Sequence, residues 1–302
     1  MPIKLRTSSL AILALLLLAG LSFAGPKDKT VWTFEGKESV ELETVSGDCV
    51  IKQGTGDKIE VTIVNQYRPR DSFEPRYRER GKRLLLSEDI LDSNSGHSTW
   101  TITLPKGTSF EFSTASGDME VIAFEGELEA STASGDIEFD QCDGTYDIST
   151  ASGDVTAYGC KGDFELSTAS GDITLRDCRG AFEASSASGD VDARDVVLAD
   201  ESQFSTASGD VEVILGESPK YNLEVGSASG DAVIDFNGNE IKGSFEFTAR
   251  VRKGGIESPF AFDEEEVISR YSQRYDRKSF TRGGDTPFIK LGTGSGKVAL
   301  KK

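Results

Sequence analysis

The tripeptide SGD recurs along this chain, and its spacing constrains the fold more than any other feature. Between Asp118 and Asp190 it returns every 18 residues, and the step then lengthens to 20 and 21. Glycines from Gly117 to Gly189 also fall on a step of nine, so each 18-residue unit contains two of them. Glycine suits tight corners because it accepts positive φ without a Cβ clash. The sequence therefore predicts repeated units with two corners each.

The residues between the corners alternate between apolar and polar. In GDFELSTA, Phe164 and Leu166 would share one face, while Glu165 and Ser167 would share the other. A period of two predicts half-buried strands, whereas a helix needs apolar residues three and four apart. Nine residues accommodate one strand of about five residues and one turn.

The predicted fold is all-β, a single-chain β-solenoid with coils of about 18 residues, two strands and two glycine corners per coil. An antiparallel β-meander would use the same strands within one sheet. Identity at 18 residues rather than at nine favours the solenoid, because stacking places each residue on its own copy about 4.8 Å away.

Three rows of apolar residues are predicted to line a thin core between two facing sheets. They are Phe110, Leu128, Tyr146, Phe164 and Phe182; Phe112, Ala130, Ile148, Leu166 and Ala184; and Val121, Phe139, Ala157, Leu175 and Ala193.

The chain divides into five predicted segments. They are a signal peptide at 1–24, N-terminal strands and a first repeat at 25–65, a charged insertion at 66–98, the main SGD array at 99–245, and a C-terminal excursion with a closing repeat at 246–302. The excursion includes DEEEVISRYSQRYDRK, for which a short helix is one expectation and a cover over the end of the stack is another.

The first 24 residues have the composition of a secretory signal. Lys4 and Arg6 precede an apolar run at 10–18, and Ala24 ends a small-x-small cleavage pattern. The run is shorter than the roughly 20 apolar residues that span a bilayer. We expect an exported protein, periplasmic or extracellular, with no transmembrane segment after signal cleavage.

The charge of the chain excludes one class of partner. Removing residues 1–24 removes two positive charges and no acid, so the formal net charge moves from -18 to -20. Nucleic-acid binding requires clustered Lys and Arg, so no nucleic-acid partner is expected. The expected partner is an unidentified protein or glycan of the cell envelope.

The repeated aspartate is the clearest candidate for chemistry. In a solenoid the Asp side chains would stack into a ladder of candidate metal ligands: Asp118, Asp136, Asp154, Asp172, Asp190, Asp210 and Asp231. Calcium requires about six to eight oxygen ligands, a set that the pattern does not show. The favoured interpretation is an Asx turn, in which each carboxylate accepts a hydrogen bond from a nearby backbone N–H.

A second acidic row is expected on the outer face, formed by Glu127, Asp147, Glu165 and Glu183. Like charges about 4.8 Å apart repel by roughly 0.9 kcal/mol even in bulk water. Calcium would relieve this repulsion, and it is the only cofactor that the pattern raises.

The four cysteines give no zinc motif, because no CxxC is present. Cys142, Cys160 and Cys178 each follow an SGD Asp by six residues, and are predicted to form a small buried row continuing Phe124 and Val196. One disulfide among them is the alternative in an exported protein. Cys49 has no evident partner.

No catalytic residue is predicted. His97 is the only histidine, and it lies in a polar loop. The serines and aspartates repeat with the coil, whereas an active site is a unique constellation. The segment GTGSGKV lacks the first glycine and the hydroxyl residue of a phosphate-binding loop, so it is interpreted as the last corner.

Repeated STASGD and SASGD, the segment WTITLPKGTSFEFSTASGD and the final GSGKVAL resemble the bacterial "putative adhesin" family of extracytoplasmic β-strand-repeat domains of unknown function. The resemblance covers about Val40 to Leu300. It implies a β-helical architecture and an envelope setting, and it supplies no catalytic residues.

The sequence as a whole favours a non-enzymatic envelope scaffold or interaction module, adhesin-like in role. Two alternatives stay open: a carbohydrate-binding or polysaccharide-acting β-helix, and a divalent-cation-binding solenoid. The flat row of Ser113, Ser131, Ser149, Ser167 and Ser185 is a further candidate surface.

Overall fold

The structure is a computed structural model that describes residues 28–91, 95–270 and 272–302. The signal peptide predicted at 1–24 lies outside the described residues. No helix in the described part of the chain has the length and hydropathy that a membrane crossing needs.

The described residues form 27 strands and a single 3-10 turn at Arg70–Ser72. The N-terminal strands are β1 Asp28–Glu35, β2 Ser39–Glu43, β3 Gly47–Gln53, β4 Lys58–Asn65, β5 Phe73–Arg80, β6 Arg83–Ile90 and β7 Ser98–Leu104. The central strands are β8 Ser109–Thr114, β9 Met119–Ile122, β10 Glu125–Thr132, β11 Ile137–Asp140, β12 Asp143–Thr150, β13 Val155–Tyr158, β14 Lys161–Thr168, β15 Ile173–Arg176, β16 Arg179–Ser186, β17 Val191–Leu198, β18 Ser202–Thr206, β19 Val211–Leu215, β20 Leu223–Ser227 and β21 Ala232–Asp235. The C-terminal strands are β22 Gly243–Arg250, β23 Gly255–Glu257, β24 Glu264–Arg270, β25 Gln273–Arg282, β26 Phe288–Thr293 and β27 Lys297–Lys301.

The central strands confirm the solenoid. Even-numbered strands from β8 to β20 form sheet B, odd-numbered strands from β9 to β21 form sheet A, and neighbours in each sheet are parallel. Each residue pairs with its copy one coil away, as Tyr146 with Phe164 and Phe164 with Phe182. A meander would require antiparallel neighbours, so the parallel pairing excludes it for this part of the chain.

The predicted core rows lie inside the stack. All fifteen residues of the three rows are buried between the two sheets. In the aromatic row, Tyr146, Phe164 and Phe182 stack with ring centroids 5.1 and 5.4 Å apart. Identity along the sequence therefore produces side-chain stacking along the solenoid axis.

The hydroxyl of the STASGD threonine forms hydrogen bonds with backbone groups at the buried corner. Thr150 accepts a hydrogen bond from Gly153 N–H at 2.9 Å, and its hydroxyl donates to the carbonyl of Gly135 in the preceding coil at 3.4 Å. Because Thr150 is buried, both hydrogen bonds offset the cost of removing the hydroxyl from water. One hydroxyl thus holds its own turn and joins it to the coil before.

The SGD corner requires glycine for a different reason from the one expected. It does not adopt positive φ in the array; instead, a Cβ at Gly153 would overlap the carbonyl oxygen of Gly135 in the preceding coil. Positive φ occurs at the other corner, where non-glycine residues such as Ala123 and Asp177 have φ of 52° and 54°. The constant spacing of 18 residues between SGD glycines therefore reflects the close approach of successive coils.

At the N-terminal end, spatial order departs from chain order. Residues 66–98, expected as an insertion, contribute β5 and β6 to sheet B and the start of β7 to sheet A. β6 lies parallel to the outer side of β2, and β7 to that of β3. The antiparallel strand β5 then closes sheet B, while β4 and β1 close sheet A.

At the C-terminal end, the last coil is inserted into the stack. β26 lies between β20 and β22, and β27 lies between β21 and β23. The segment DEEEVISRYSQRYDRK forms the antiparallel hairpin β24–β25, so the expected short helix is wrong. The hairpin forms because β25 pairs with the otherwise free edge of β22 and so satisfies its backbone groups.

Residues 258–263 cover this end of the core. Phe260 and Phe262 are partly buried and pack on Phe280 at ring-centroid distances of 5.6 and 6.2 Å. Lys278 lies 5.0 Å from the Phe262 ring centroid. The expectation that the C-terminal excursion covers the stack therefore agrees with these contacts.

Candidate functional site

The aspartate ladder is a chain of hydrogen bonds between coils. Oδ1 of Asp136 accepts from the backbone N–H of Asp154 at 2.8 Å, and Oδ1 of Asp154 accepts from that of Asp172 at 2.8 Å. The ladder begins at Asp48 and ends at Asp231, which accepts from Lys297 N–H at 2.7 Å. The remaining members, Asp118, Asp172, Asp190 and Asp210, make the same contact at 2.7–2.9 Å.

This geometry corrects the expected Asx turn, because the donor belongs to the next coil and not to the same turn. It also explains Lys297, since the final corner must supply only a backbone N–H. Among the described residues, no group of three or more His, Cys, Asp or Glu is arranged to hold a metal ion. The ladder's visible role is to join coils.

The cysteine row lies in the core beside the second corner. Cys142, Cys160 and Cys178 are buried free thiols between the buried side chains of Phe124 and Val196. The Cys142 backbone N–H donates to the Cys160 Sγ at 3.4 Å, and the Cys142 thiol donates to the Val121 carbonyl at 3.4 Å. The hydrogen bond with Cys160 and burial both raise the pKa of Cys142.

Cys49 lies in a separate environment on β3, where it is also buried and free. Burial, together with the neighbouring charge of Asp48, raises the pKa of its thiol well above the usual value. A buried thiol of raised pKa is a poor nucleophile. Cys49 therefore packs as a small apolar side chain, and burial gives the three thiols of the cysteine row the same role.

His97 is held at the surface of the first coil. Its Nε2 lies 2.7 Å from Oδ2 of Asp48, whose Oδ1 accepts from the backbone N–H of Asp118. This contact places the imidazole at the start of the aspartate ladder.

Glu88 is a buried carboxylate that the sequence did not single out. Its Oε1 accepts from Val45 N–H at 2.8 Å, and its Oε2 accepts from the Ser98 hydroxyl at 2.7 Å and Trp100 Nε1 at 3.4 Å. These bonds fix the corner that carries the first SGD. Glu88 lies on a strand outside the 18-residue repeat, so the sequence does not show which face of the strand it occupies. It therefore could not be distinguished from the many surface acids.

The outer face of sheet B carries a long groove. The groove has a volume of about 960 Å³ and extends from β2 and β8 at one end to β20 and β26 at the other. Carboxylates in register along its floor form what we call the acidic row: Glu111, Glu129, Asp147, Glu165 and Glu183.

The register corrects one member of the expected second row. Glu127 pairs with Thr145, whereas Glu129 pairs with Asp147, so Glu129 takes the place assigned to Glu127. Glu127 and Glu129 are two residues apart on one strand, so they lie on the same face of sheet B but in neighbouring rows.

Within the acidic row only Glu111, at one end, has a cation partner among the described residues. Arg83 contacts Glu41 and Glu111, and Lys290 contacts Glu224 at 2.5 Å. Burial and the nearby carboxylates Glu41 and Glu129 raise the pKa of Glu111. Among the described residues, no cation forms an ion pair with the four members between Glu129 and Glu183.

The serine row borders this groove in register from Ser113 to Ser185. Its side chains are outward and half-buried or exposed. The Ser167 hydroxyl donates to the Ile148 carbonyl at 3.4 Å. The row therefore forms a flat polar margin beside the carboxylates.

Several solved structures are similar to this chain. A "putative adhesin" structure from Parabacteroides merdae is 12% identical with a TM-score of 0.46, covering 92% of this chain and 97% of that one. A "putative adhesin" from Bacteroides fragilis is 13% identical with a TM-score of 0.44, covering 91% and 97%. A "putative lipid binding protein" from Parabacteroides distasonis is 12% identical with a TM-score of 0.36, covering 92% and 98%.

Among the curated proteins, none matches this chain. The family model described as Toastrack DUF4097 matches residues 37–254, which include the first repeat and the parallel strands from β8 to β21. Because that match covers most of the chain, the protein belongs to the Toastrack DUF4097 family of β-repeat domains.

Proposed function

We propose that the protein is an exported, non-enzymatic interaction module of the bacterial envelope, adhesin-like in role, with the sheet B groove as its binding face. The observation that carries this proposal is the acidic row, whose central carboxylates face the groove without a cation partner among the described residues. Regularly spaced charges on a rigid sheet are preorganised, so binding a complementary ligand costs little conformational entropy.

The chemistry of the groove favours a cationic partner. In-register carboxylates about 4.8 Å apart create a field that attracts positive charge. A basic segment of an envelope protein would neutralise several of them at once. An envelope glycan is the second class, because carboxylates and the serine row offer acceptors to sugar hydroxyls.

Several features support a role without catalysis. The side chains that recur at each corner make hydrogen bonds between coils, so their repetition has a structural cause. His97 is the only histidine of the chain and contacts a corner carboxylate. A polysaccharide-acting β-helix is the alternative, and incubation with a panel of polysaccharides tests it: reproducible cleavage would establish an enzyme.

Pull-down from the envelope of the producing bacterium tests the binding face. The bait is the mature chain, and the variant carries Asp147→Lys and Glu165→Lys in the acidic row. A control matched in charge carries Glu120→Lys and Glu138→Lys, two acids that pair in register on the outer face of sheet A. The proposal expects partners that are retained by the control and lost by the groove variant; equal retention by both variants contradicts it.

Divalent-cation binding is a second candidate, supported by the repulsion within the same acidic row and along the Asp ladder. Millimolar calcium or magnesium is then expected to raise the Tm more than sodium chloride at matched ionic strength. Identical melting curves in both salts would exclude this candidate.

Export is part of the proposal and rests on residues 1–24. Expression of the full chain with its signal, followed by N-terminal sequencing of the secreted form, is expected to give Gly25 as the first residue. Recovery of uncleaved protein in the cytoplasm would contradict export.

A further inference from the structure

The two ends of the stack present unpaired strand edges on sheet B. At the N-terminal end, β5 pairs with β6 on one side, and at the C-terminal end, β24 pairs with β25 on one side. Among the described strands, only β6 pairs with β5 and only β25 pairs with β24. Exposed edges of this kind offer backbone N–H and C=O groups to another strand.

The directions of these two edge strands are complementary. β6 runs parallel to the array and β5 antiparallel to it. β22 runs with the array, β25 against it, and β24 with it again. A second copy stacked along the same axis would therefore place its β5 antiparallel to β24 of the first.

The charges of the two edges are also complementary. The outer face of β5 carries Glu74, Arg76, Arg78 and Arg80, opposite the outward side chains of β6. The outer face of β24 carries Glu264, Glu266, Ile268 and Arg270, as its register with β25 shows. One antiparallel register faces Arg80 with Glu264, Arg78 with Glu266, and Glu74 with Arg270. On the inner face it also places Glu79 opposite Glu265, and each of these carboxylates already pairs with a lysine of its own copy.

The same register joins two exposed apolar side chains on the inner face. Tyr77 is 51% exposed although its ring contacts Trp32 and Phe34 with centroids 5.0 and 5.1 Å apart. Val267 is 48% exposed at the opposite end. Pairing them would bury apolar surface that each end alone leaves in water.

We propose that the protein assembles head to tail with a second copy of itself, through antiparallel pairing of β24 of one copy with β5 of the next. The pairing extends sheet B across the junction. Because the two surfaces differ, each copy keeps one free end, and the contact propagates into an open stack and not a closed dimer.

Charge reversal tests the contact at Arg80 and Glu264, which have no ion-pair partner among the described residues. Sedimentation velocity of the mature chain at low ionic strength is expected to show concentration-dependent species larger than a monomer. R80E and E264R are each expected to weaken association about tenfold, and R80E/E264R to restore most of it. Glu127→Lys, on the groove face, is the matched control and retains association.

Mixing the two single variants tests the head-to-tail order. R80E keeps an unaltered C-terminal edge and E264R keeps an unaltered N-terminal edge, and their two altered edges carry the reversed charge pair that R80E/E264R restores. An equimolar mixture is therefore expected to recover species larger than a dimer, whereas each single variant alone stays weakly associated. A monomer at all concentrations of the unaltered protein would overturn the proposal, as would association that neither variant changes. Neither outcome bears on envelope binding by the groove, which the pull-down tests separately.

Discussion

At the residue scale, the SGD glycine is fixed by the distance between coils. A Cβ at Gly153 would overlap the Gly135 carbonyl oxygen, and backbone atoms cannot move aside as a flexible side chain can. We expect Gly153→Ala to lower the free energy of unfolding by about 3 kcal/mol or more. Urea denaturation followed by circular dichroism measures this.

Gly56 is the matched control for that substitution, because a Cβ there meets no atom within 4 Å. Gly56→Ala is expected to change the free energy of unfolding by no more than about 0.5 kcal/mol. Similar losses for the two substitutions would show that the coils are not packed as closely as the structure has them.

The SGD aspartate acts as a hydrogen-bond acceptor at a cost in charge repulsion. Asp154→Asn keeps an oxygen for the Asp172 N–H and removes repulsion from the neighbouring carboxylates, so stability should be unchanged or higher. Asp154→Ala removes the acceptor and should cost about 1 kcal/mol. Thermal melts of both variants check this; greater loss with Asn than with Ala would indicate that the charge itself is required, as in a cation site.

At the element scale, the cysteine row is predicted to be inert in the folded protein. Cys142, Cys160 and Cys178 are each no more than 1% exposed, so a reagent in solution cannot reach their thiols in the folded protein. A maleimide at neutral pH should leave all three unmodified until the protein is unfolded, as mass spectrometry would show. Ser152→Cys, at an exposed corner, is the positive control and should react at once; modification of the native row would show that the stack opens locally.

The strands of the array were predictable, and those of the ends were not, for one physical reason. Inside the array each residue contacts its own copy on both sides, so Tyr146, Phe164 and Phe182 reveal their neighbours through sequence spacing. At an end, one neighbour is missing and the rule fails. Nothing in the spacing indicates that β26 inserts between β20 and β22, or that β6 stacks outside β2.

The candidate site was predictable to the same extent. The carboxylates at Asp147, Glu165 and Glu183 follow from the 18-residue step, but the groove that they line depends on how sheet B curves and on Arg83 and Lys290 at its ends. Those two residues come from strands outside the strict repeat, so no period in the sequence relates them to the row. The Asp ladder could be located but not explained, because its donor belongs to another coil.

At the scale of the whole molecule, stacked coils should tolerate removal of one complete repeat. Deleting residues 155–172 joins Asp154 to Ile173, which keeps a corner of SGD followed by an apolar residue and places Tyr146 against Phe182. We expect a folded protein with unchanged β-sheet circular dichroism and a lower Tm, because each coil contributes its own contacts and one interface. Small-angle scattering should show an axis shorter by about 4.8 Å.

Deleting half a coil, residues 155–163, is the informative comparison because it removes fewer residues. It joins Asp154 to Phe164, so a strand that belongs to sheet B would follow a corner that leads into sheet A, and every later strand would lie in the wrong sheet. The smaller deletion should therefore unfold or aggregate while the larger one folds. If both deletions folded equally well, the two sheets would not be built from alternate strands, and the coil could not be the unit of this molecule.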